Sequence, residues 1–167
     1  PTCPNSVYGT TKLEGENNVT AACGKSMIIR TAWLYSTFGN NFVKTMLRLG
    51  KERTELGVIF DQIGTPTYAR DLALTIMNAA DKGIIPGIYH FSNEGVCSWY
   101  DFTKAIHRIA GITDCNVKPL HTEEYPTPAC RPAYSVLDKT KIKNAYNICI
   151  PHWEDSLREC MAKLETE

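Results

Sequence analysis

The sequence lacks an excess of charge of either sign, because 18 basic and 18 acidic residues cancel over its 167 positions. It therefore creates no net field that would attract nucleic acid or an anionic membrane surface, and we expect neither partner. It also lacks an apolar run approaching the ~20 residues of a membrane-spanning helix, and it lacks a charged-then-apolar leader. These absences predict a chain that neither spans a membrane nor is exported.

Paired cysteine motifs are missing as well. The seven cysteines are odd in number and widely spaced, and they include no Cys-x-x-Cys pair. This pattern favours reduced thiols and a cytoplasmic location. His-x-x-x-His spacing is absent too, and the one local cluster of potential ligands is His121 with Glu123 and Glu124. We therefore expect no metal site.

Helical and strand patterns alternate along the chain, and 43% hydrophobic residues are enough for a compact core. Ser98 followed by Asp101 is typical of a capping box. A loop with three prolines is predicted over 121–135. Apolar periodicity and turn residues predict strands over 26–35, 56–60, 88–92 and 117–120, and helices over 6–23, 41–50, 67–83, 98–110, 137–144 and 153–164.

The most informative residues are Tyr8 and Lys12, which lie four positions apart and so share one helix face. A positive charge within about 4–6 Å of a phenol favours the phenolate. Tyr8 can then act as an acid or base towards a carbonyl group. The spacing alone is also typical of an ordinary solvated helix surface, so the neighbouring residues must decide.

Those neighbours carry a resemblance. The run from Pro4 to Glu16 resembles the catalytic helix of extended short-chain dehydrogenase/reductases, in which Tyr-x-x-x-Lys opens a long helix. Five further blocks resemble the dTDP-4-dehydrorhamnose reductase family and follow in that family's order. These blocks are Arg30 to Tyr35, Gly39 to Phe42, Asp61 to Thr67, Gly87 to Asn93 and Tyr125 to Pro132.

The resemblance implies reduction of a sugar 4-ketone, with a hydride from NADPH or NADH and a proton from Tyr8. Lys12 would stabilise the phenolate and hydrogen-bond the nicotinamide ribose, so that Tyr8 and Lys12 both contact the cofactor. Trp33 resembles the family's pocket tryptophan, whose ring packs against the sugar. Arg131 and Asn41 are the candidates for binding the diphosphate of the dTDP-sugar substrate.

Simpler interpretations stand beside these roles. Trp33 at a strand end is also typical of core packing, Arg131 of a surface salt bridge, and Asn41 of a plain helix N-cap. The block with Gln62, Thr65 and Thr67 is adequately explained by turn chemistry, and its role cannot be derived from the sequence.

No Gly-x-Gly-x-x-Gly or Gly-x-x-Gly-x-x-Gly motif occurs in the chain, although families of this kind begin with such a phosphate-binding turn. We therefore expect the C-terminal half of a reductase, with most of the cofactor cradle and the Ser or Thr partner of Tyr8 upstream. The isolated half should be inactive. The choice between NADPH and NADH would depend on the upstream half, and a homodimer is left open.

The fold class expected is α/β. Residues 1–37 would be the last catalytic helix and strand of a doubly wound Rossmann-type domain, and residues 38–167 mainly a smaller mixed substrate-binding lobe. The strand near 87–92 would return to the main sheet. Two alternatives remain: a nucleotide-sugar epimerase or dehydratase, which uses the same Tyr and Lys, and a non-catalytic sugar-nucleotide-binding or regulatory relative.

Overall fold

The structure, a computed structural model, describes residues 2–4, 6–127 and 131–164. Helices and strands alternate along most of its length. The helices are α1 (Val7–Ala22), α2 (Phe42–Glu52), α3 (Ala69–Lys82), α4 (Trp99–Ile109), α5 (Thr140–Tyr146) and α6 (Trp153–Leu164), with a 3₁₀ turn at Thr122–Glu124. The strands are β1 (Met27–Arg30), β2 (Leu34–Tyr35), β3 (Glu55–Ile59), β4 (Ile63–Gly64), β5 (Thr67–Tyr68), β6 (Gly87–His90), β7 (Cys97–Ser98) and β8 (Asn116–Leu120).

The strands form four pairs. β1 with β6, β2 with β5 and β3 with β8 are parallel, and β4 with β7 is antiparallel. Each parallel pair needs a long crossover, and the intervening helices supply it. The mixed α/β class predicted from the sequence is confirmed. The capping box at Ser98 and Asp101 is confirmed as well, with both reciprocal hydrogen bonds present at the start of α4.

The prediction of one continuous strand over 26–35 is wrong. The chain leaves β1 after Arg30 and forms β2 in a different pair, beside β5 instead of β6. The break lies at Trp33, whose φ of 51° is in the left-handed region that an extended strand does not use. At this kink the chain passes from the β1–β6 pair to the β2–β5 pair.

Two clusters of buried side chains stabilise the fold. The larger one lies among α2, α4, α6 and the β3–β8 pair, and its most buried members include Val43, Phe102, Ile106 and Leu157. The smaller one joins α3, β6 and α5 through Ala79, Tyr89, Phe91, Ile142, Tyr146 and Ile150.

Helix α1 differs from the other helices because it has no buried residue. Its N-cap is Ser6, whose hydroxyl accepts a hydrogen bond of 3.1 Å from the Gly9 amide. Among the helices that the structure describes, α1 included, none is long and apolar enough to cross a membrane.

Candidate active site

Tyr8 and Lys12 lie on the same face of α1, as the helical spacing predicts. The Lys12 ammonium is 5.3 Å from the centroid of the Tyr8 ring, and the Tyr8 side chain is 71% exposed. Both residues line a cavity of about 630 Å³ together with Glu16, Arg30 and Thr31. The Lys12 cation therefore lies over the face of the Tyr8 ring, within the distance of a cation–π contact.

Tyr8 also lines a second cavity, of about 460 Å³. This cavity is bounded by Trp33 and Arg131, with Gln62, Trp99 and Ser135 among its other lining residues. Tyr8 thus stands where the two cavities meet, with Lys12 on one side and Trp33 on the other. The structure brings together four of the five residues that sequence reasoning selected.

The Trp33 indole stacks on the indole of Trp99, with ring centroids 3.5 Å apart and an interplanar angle of 14°. Trp99 in turn contacts the Phe42 ring at a centroid distance of 4.6 Å, and Phe42 stacks on Phe102 in the large core. A column of aromatic rings therefore connects the cavity wall to the core. Trp33 is partly buried, so it belongs both to the cavity and to this column.

Arg131 is exposed and lines two spaces, the Tyr8–Trp33 cavity and an adjoining apolar groove of about 490 Å³. Residues from α2, β3 and β8 form most of this groove, including Phe42, Leu56, Val58 and Leu120. A guanidinium at the junction of these two spaces is suited to bind an anionic group that connects them. Pro128 and Cys130, in the same proline-rich block, lie outside the described residues.

Asn41 does not line either cavity or the apolar groove. Its side-chain oxygen accepts from the Lys44 amide at 3.2 Å, and its side-chain nitrogen donates to the Ser36 carbonyl at 2.7 Å. Asn41 is thus the N-cap of α2. Its contact with a diphosphate stays a prediction.

The block whose role the sequence left open is buried beside the site. Gln62 lines the Tyr8–Trp33 cavity and donates to the Thr122 hydroxyl at 3.1 Å, and Thr122 is itself fixed by Asp61. Hydrogen bonds from the hydroxyl and amide of Thr122 hold the pKa of Asp61 below its ordinary value. Thr65 donates to the Gly95 carbonyl at 2.7 Å.

Two residues at the site were missed from the sequence. Trp99 was recognised only as part of a capped helix, and no local pattern indicates that its ring reaches Trp33. Glu16 could have been found from the sequence, because it lies four residues after Lys12, as Lys12 lies four residues after Tyr8, and so shares their helix face. It accepts from the Arg30 guanidinium through both carboxylate oxygens, at 2.7 and 2.5 Å.

The ion pair between Glu16 and Arg30 joins α1 to β1 at the wall of the larger cavity. The hydrogen bond from Arg30 is the main cause that holds the pKa of Glu16 below its ordinary value, and partial burial opposes it. The same hydrogen bond raises the pKa of Arg30. Glu16 therefore remains a carboxylate in the wall of the cavity that Lys12 also lines.

Within the residues that the structure describes, no group of three or more His, Cys, Asp or Glu side chains could hold a metal ion. His121, which the sequence suggested as part of a ligand cluster, lies 3.7 Å from Asp61 and packs edge-on against Phe60.

Comparison with solved structures defines the class of fold. A dTDP-4-dehydrorhamnose reductase from Clostridium acetobutylicum superposes with a TM-score of 0.93 at 47% identity, over 99% of this chain and 58% of that one. The reductase from Bacillus anthracis, solved in complex with NADP, gives 0.89 at 42% identity, over 96% of this chain and 56% of that one. A UDP-glucuronic acid 4-epimerase from Bacillus cereus gives 0.80 at 19% identity, covers 99% and 55% of the two chains, and shows the fold alone. The fold is thus of the Rossmann type found in short-chain dehydrogenase/reductases.

A match to a family model identifies the chain more closely than its fold class does. The family model for the RmlD substrate binding domain matches residues 1–166, so the chain belongs to that family. A dTDP-4-dehydrorhamnose reductase from Aggregatibacter actinomycetemcomitans is 45% identical over 97% of this chain and 58% of its own length. The chain therefore spans somewhat more than half of the reductases that it matches.

Proposed function

We propose that this chain is the C-terminal portion of an NADPH- or NADH-dependent reductase that converts dTDP-4-dehydro-L-rhamnose to dTDP-L-rhamnose. The observation that carries the proposal is that Tyr8, Trp33 and Arg131 line one cavity while Lys12 is beside the Tyr8 ring. An acid, a flat apolar surface and a cation are the three groups that a diphosphate-linked keto sugar requires. The reductase relatives, one of them solved with NADP, support the same assignment.

The sugar would lie in the Tyr8–Trp33 cavity, with its 4-keto oxygen at the Tyr8 hydroxyl. Trp33 would pack against the sugar ring, and Arg131 would bind the diphosphate at the mouth of the cavity. The thymine end would enter the adjoining apolar groove between Phe42 and Leu120. Asn41 would act from the start of α2, through the preceding loop that its side chain holds by a hydrogen bond to the Ser36 carbonyl.

The cavity beside Lys12 and Thr31 fits the ribosyl end of a nicotinamide cofactor, because an ammonium and a hydroxyl there can hydrogen-bond ribose hydroxyls. The reduced cofactor supplies the hydride for the sugar C4. Tyr8 donates its phenolic proton to the oxygen of the developing alkoxide, and the C=O bond becomes C–OH. Lys12 stabilises the phenolate that remains, until solvent returns the proton.

The rest of the cofactor site is proposed to lie in the portion of the reductase that this chain does not span. α1 has no buried residue, and one edge of β1 is unpaired in the described structure, so both surfaces are available to that portion. We accordingly expect no turnover from the 167-residue chain alone, and weak binding of the dTDP-sugar.

The test is Tyr8→Phe in the full-length reductase that contains this sequence. Losing the acid should lower kcat by about 10²–10⁴-fold with little change in KM, because the phenyl ring preserves the shape of the cavity. Tyr134→Phe is the control, since Tyr134 is 67% exposed and lines neither cavity. An unchanged kcat for Tyr8→Phe, or turnover by the 167-residue chain alone, would overturn the proposal.

A further inference from the structure

We propose that Thr67 is a positioning residue, which acts on the reaction by holding Trp33 at the cavity wall. The inference rests on the proposed function, because that function assigns Trp33 to the sugar. Thr67 itself is fully buried and lines neither cavity, so it can act only through the residues that it contacts.

The need for such a residue follows from the backbone of Trp33. Its φ of 51° is a left-handed conformation that a bulky residue avoids. Conformations of this kind persist only where the surrounding structure over-determines them. Something other than the intrinsic preference of Trp33 must therefore fix the kink between β1 and β2.

Thr67 makes the contacts that fix it. Its amide donates to the Trp33 carbonyl at 3.0 Å, and its hydroxyl donates to the Ala32 carbonyl at 2.6 Å. These two carbonyls belong to the peptide groups on either side of the Trp33 Cα atom, so both flanking peptide planes are held. The Thr31 hydroxyl donates to the Thr67 hydroxyl at 3.2 Å and fixes its direction.

Packing against neighbouring residues holds the Trp33 ring in place. A Cβ atom at Gly64 would lie 2.7 Å from two atoms of the Trp33 ring, so the glycine gives the ring its space. Trp99 stacks on the same indole. With backbone and ring both fixed, the indole has one orientation before any ligand arrives, which is the preorganisation that a binding site requires.

The experiment compares three variants of this chain. Thr67→Val removes the hydroxyl and keeps the shape, and Thr67→Ser restores the hydroxyl. Thr75→Val is the matched control, because Thr75 is also buried and donates to a backbone carbonyl, that of Asp71 at 2.9 Å, away from the site. All three variants keep both indoles, so the exciton-coupled circular dichroism of the stacked Trp33–Trp99 pair reports the position of Trp33.

We expect Thr67→Val to lose most of the exciton couplet, whereas Thr67→Ser and Thr75→Val keep it. The affinity advantage of dTDP-L-rhamnose over dTDP, measured by calorimetry, should fall towards one-fold in Thr67→Val alone, with dTDP affinity unchanged. An intact couplet in folded Thr67→Val, or an equal loss in Thr75→Val, overturns the positioning role.

One result separates this inference from the proposed function. If the wild-type chain binds neither nucleotide while the couplet still depends on the Thr67 hydroxyl, the positioning of Trp33 stands and the nucleotide site fails. If Thr67→Val does not fold, Thr67→Ala is compared with Thr67→Ser instead, because it also lacks the hydroxyl that donates to the Ala32 carbonyl. A couplet that survives in Thr67→Ala contradicts the proposal.

Discussion

The two walls of the candidate active site differ in how they are held. The Trp33 wall continues through Trp99 and Phe42 into the large buried core, and backbone hydrogen bonds fix its kink. The Tyr8 wall is a helix without a buried residue, attached to β1 by the Glu16–Arg30 ion pair. The Trp33 wall is thus preorganised within this chain, while the Tyr8 wall depends on few contacts.

Helix α3 shows a similar contrast between a firmly packed face and an exposed one. Its inner face is buried at Asp71, Thr75 and Ala79, where the Asp71 carboxylate accepts from Asn93 and Ser156. Its outer face is apolar and exposed at helical spacing, at Ala73, Ile76, Met77 and Ala80. An amphipathic helix with apolar residues facing solvent is typical of a surface that further protein covers. The contrast fits a chain that spans about 58% of its relatives.

The largest expected effect is on stability, and it tests whether the two regions differ as described. Phe102→Ala, in the large core, should lower the free energy of unfolding by about 3–5 kcal/mol, because Phe102 is completely buried. Val19→Ala, on exposed α1, should change it by about 0.5 kcal/mol or less. Urea denaturation of both variants gives the comparison, and similar losses would show that α1 is packed as firmly as the core.

Much of the Trp33 wall could be predicted from the sequence, but the backbone kink at Trp33 could not. Periodicity and capping residues predict α4 and its start at Ser98, and the structure confirms both. The kink at Trp33 depends on Thr67, a residue distant in sequence, so no local pattern contains it. A run rich in Ile and aromatic residues predicts one strand, whereas tertiary hydrogen bonds divide it into two.

The Tyr8 wall shows the same division. Tyr8 and Lys12 could be selected from the sequence because a helix converts their spacing directly into a shared face. The contact that attaches α1 to the fold could not be predicted from the sequence. It joins Glu16 to Arg30 in β1, and it forms only because the chain folds β1 back beside α1. Short-range chemistry was therefore predictable on both walls, and contacts between elements were not.

A smaller effect sharpens the comparison at α1. Glu16→Gln removes one charge from the forked contact with Arg30 and should lower the free energy of unfolding by about 1 kcal/mol or less, because the pair is partly solvated. The amides of α1 should exchange with deuterium faster, while those of α4 do not. Glu52→Gln, in the exposed Arg48–Glu52 pair, is the control. Equal exchange rates in α1 for the two variants would contradict the anchoring role of Glu16.

The smallest expected effect is a change in the free energy of unfolding at acidic pH. It arises from His107, in the core that supports the Trp33 wall. His107 is buried, its Nε2 atom is 3.1 Å from the Met46 carbonyl oxygen, and its Nδ1 atom has no hydrogen-bond partner in the described structure. Burial lowers the pKa of His107. The unfolded chain therefore takes up a proton near pH ~6.5 that the folded chain still excludes.

The sign of the pH dependence follows from this difference. The contribution of neutral His107 to stability is complete above about pH 6.5 and is lost as the pH falls through the folded-state pKa. In His107→Gln, which cannot titrate, the free energy of unfolding should decline less steeply between pH 7 and pH 5 than in the wild type. A His107→Gln slope as steep as that of the wild type would mean that the buried ring is protonated in the folded chain, and that the core beneath Trp33 admits a charge.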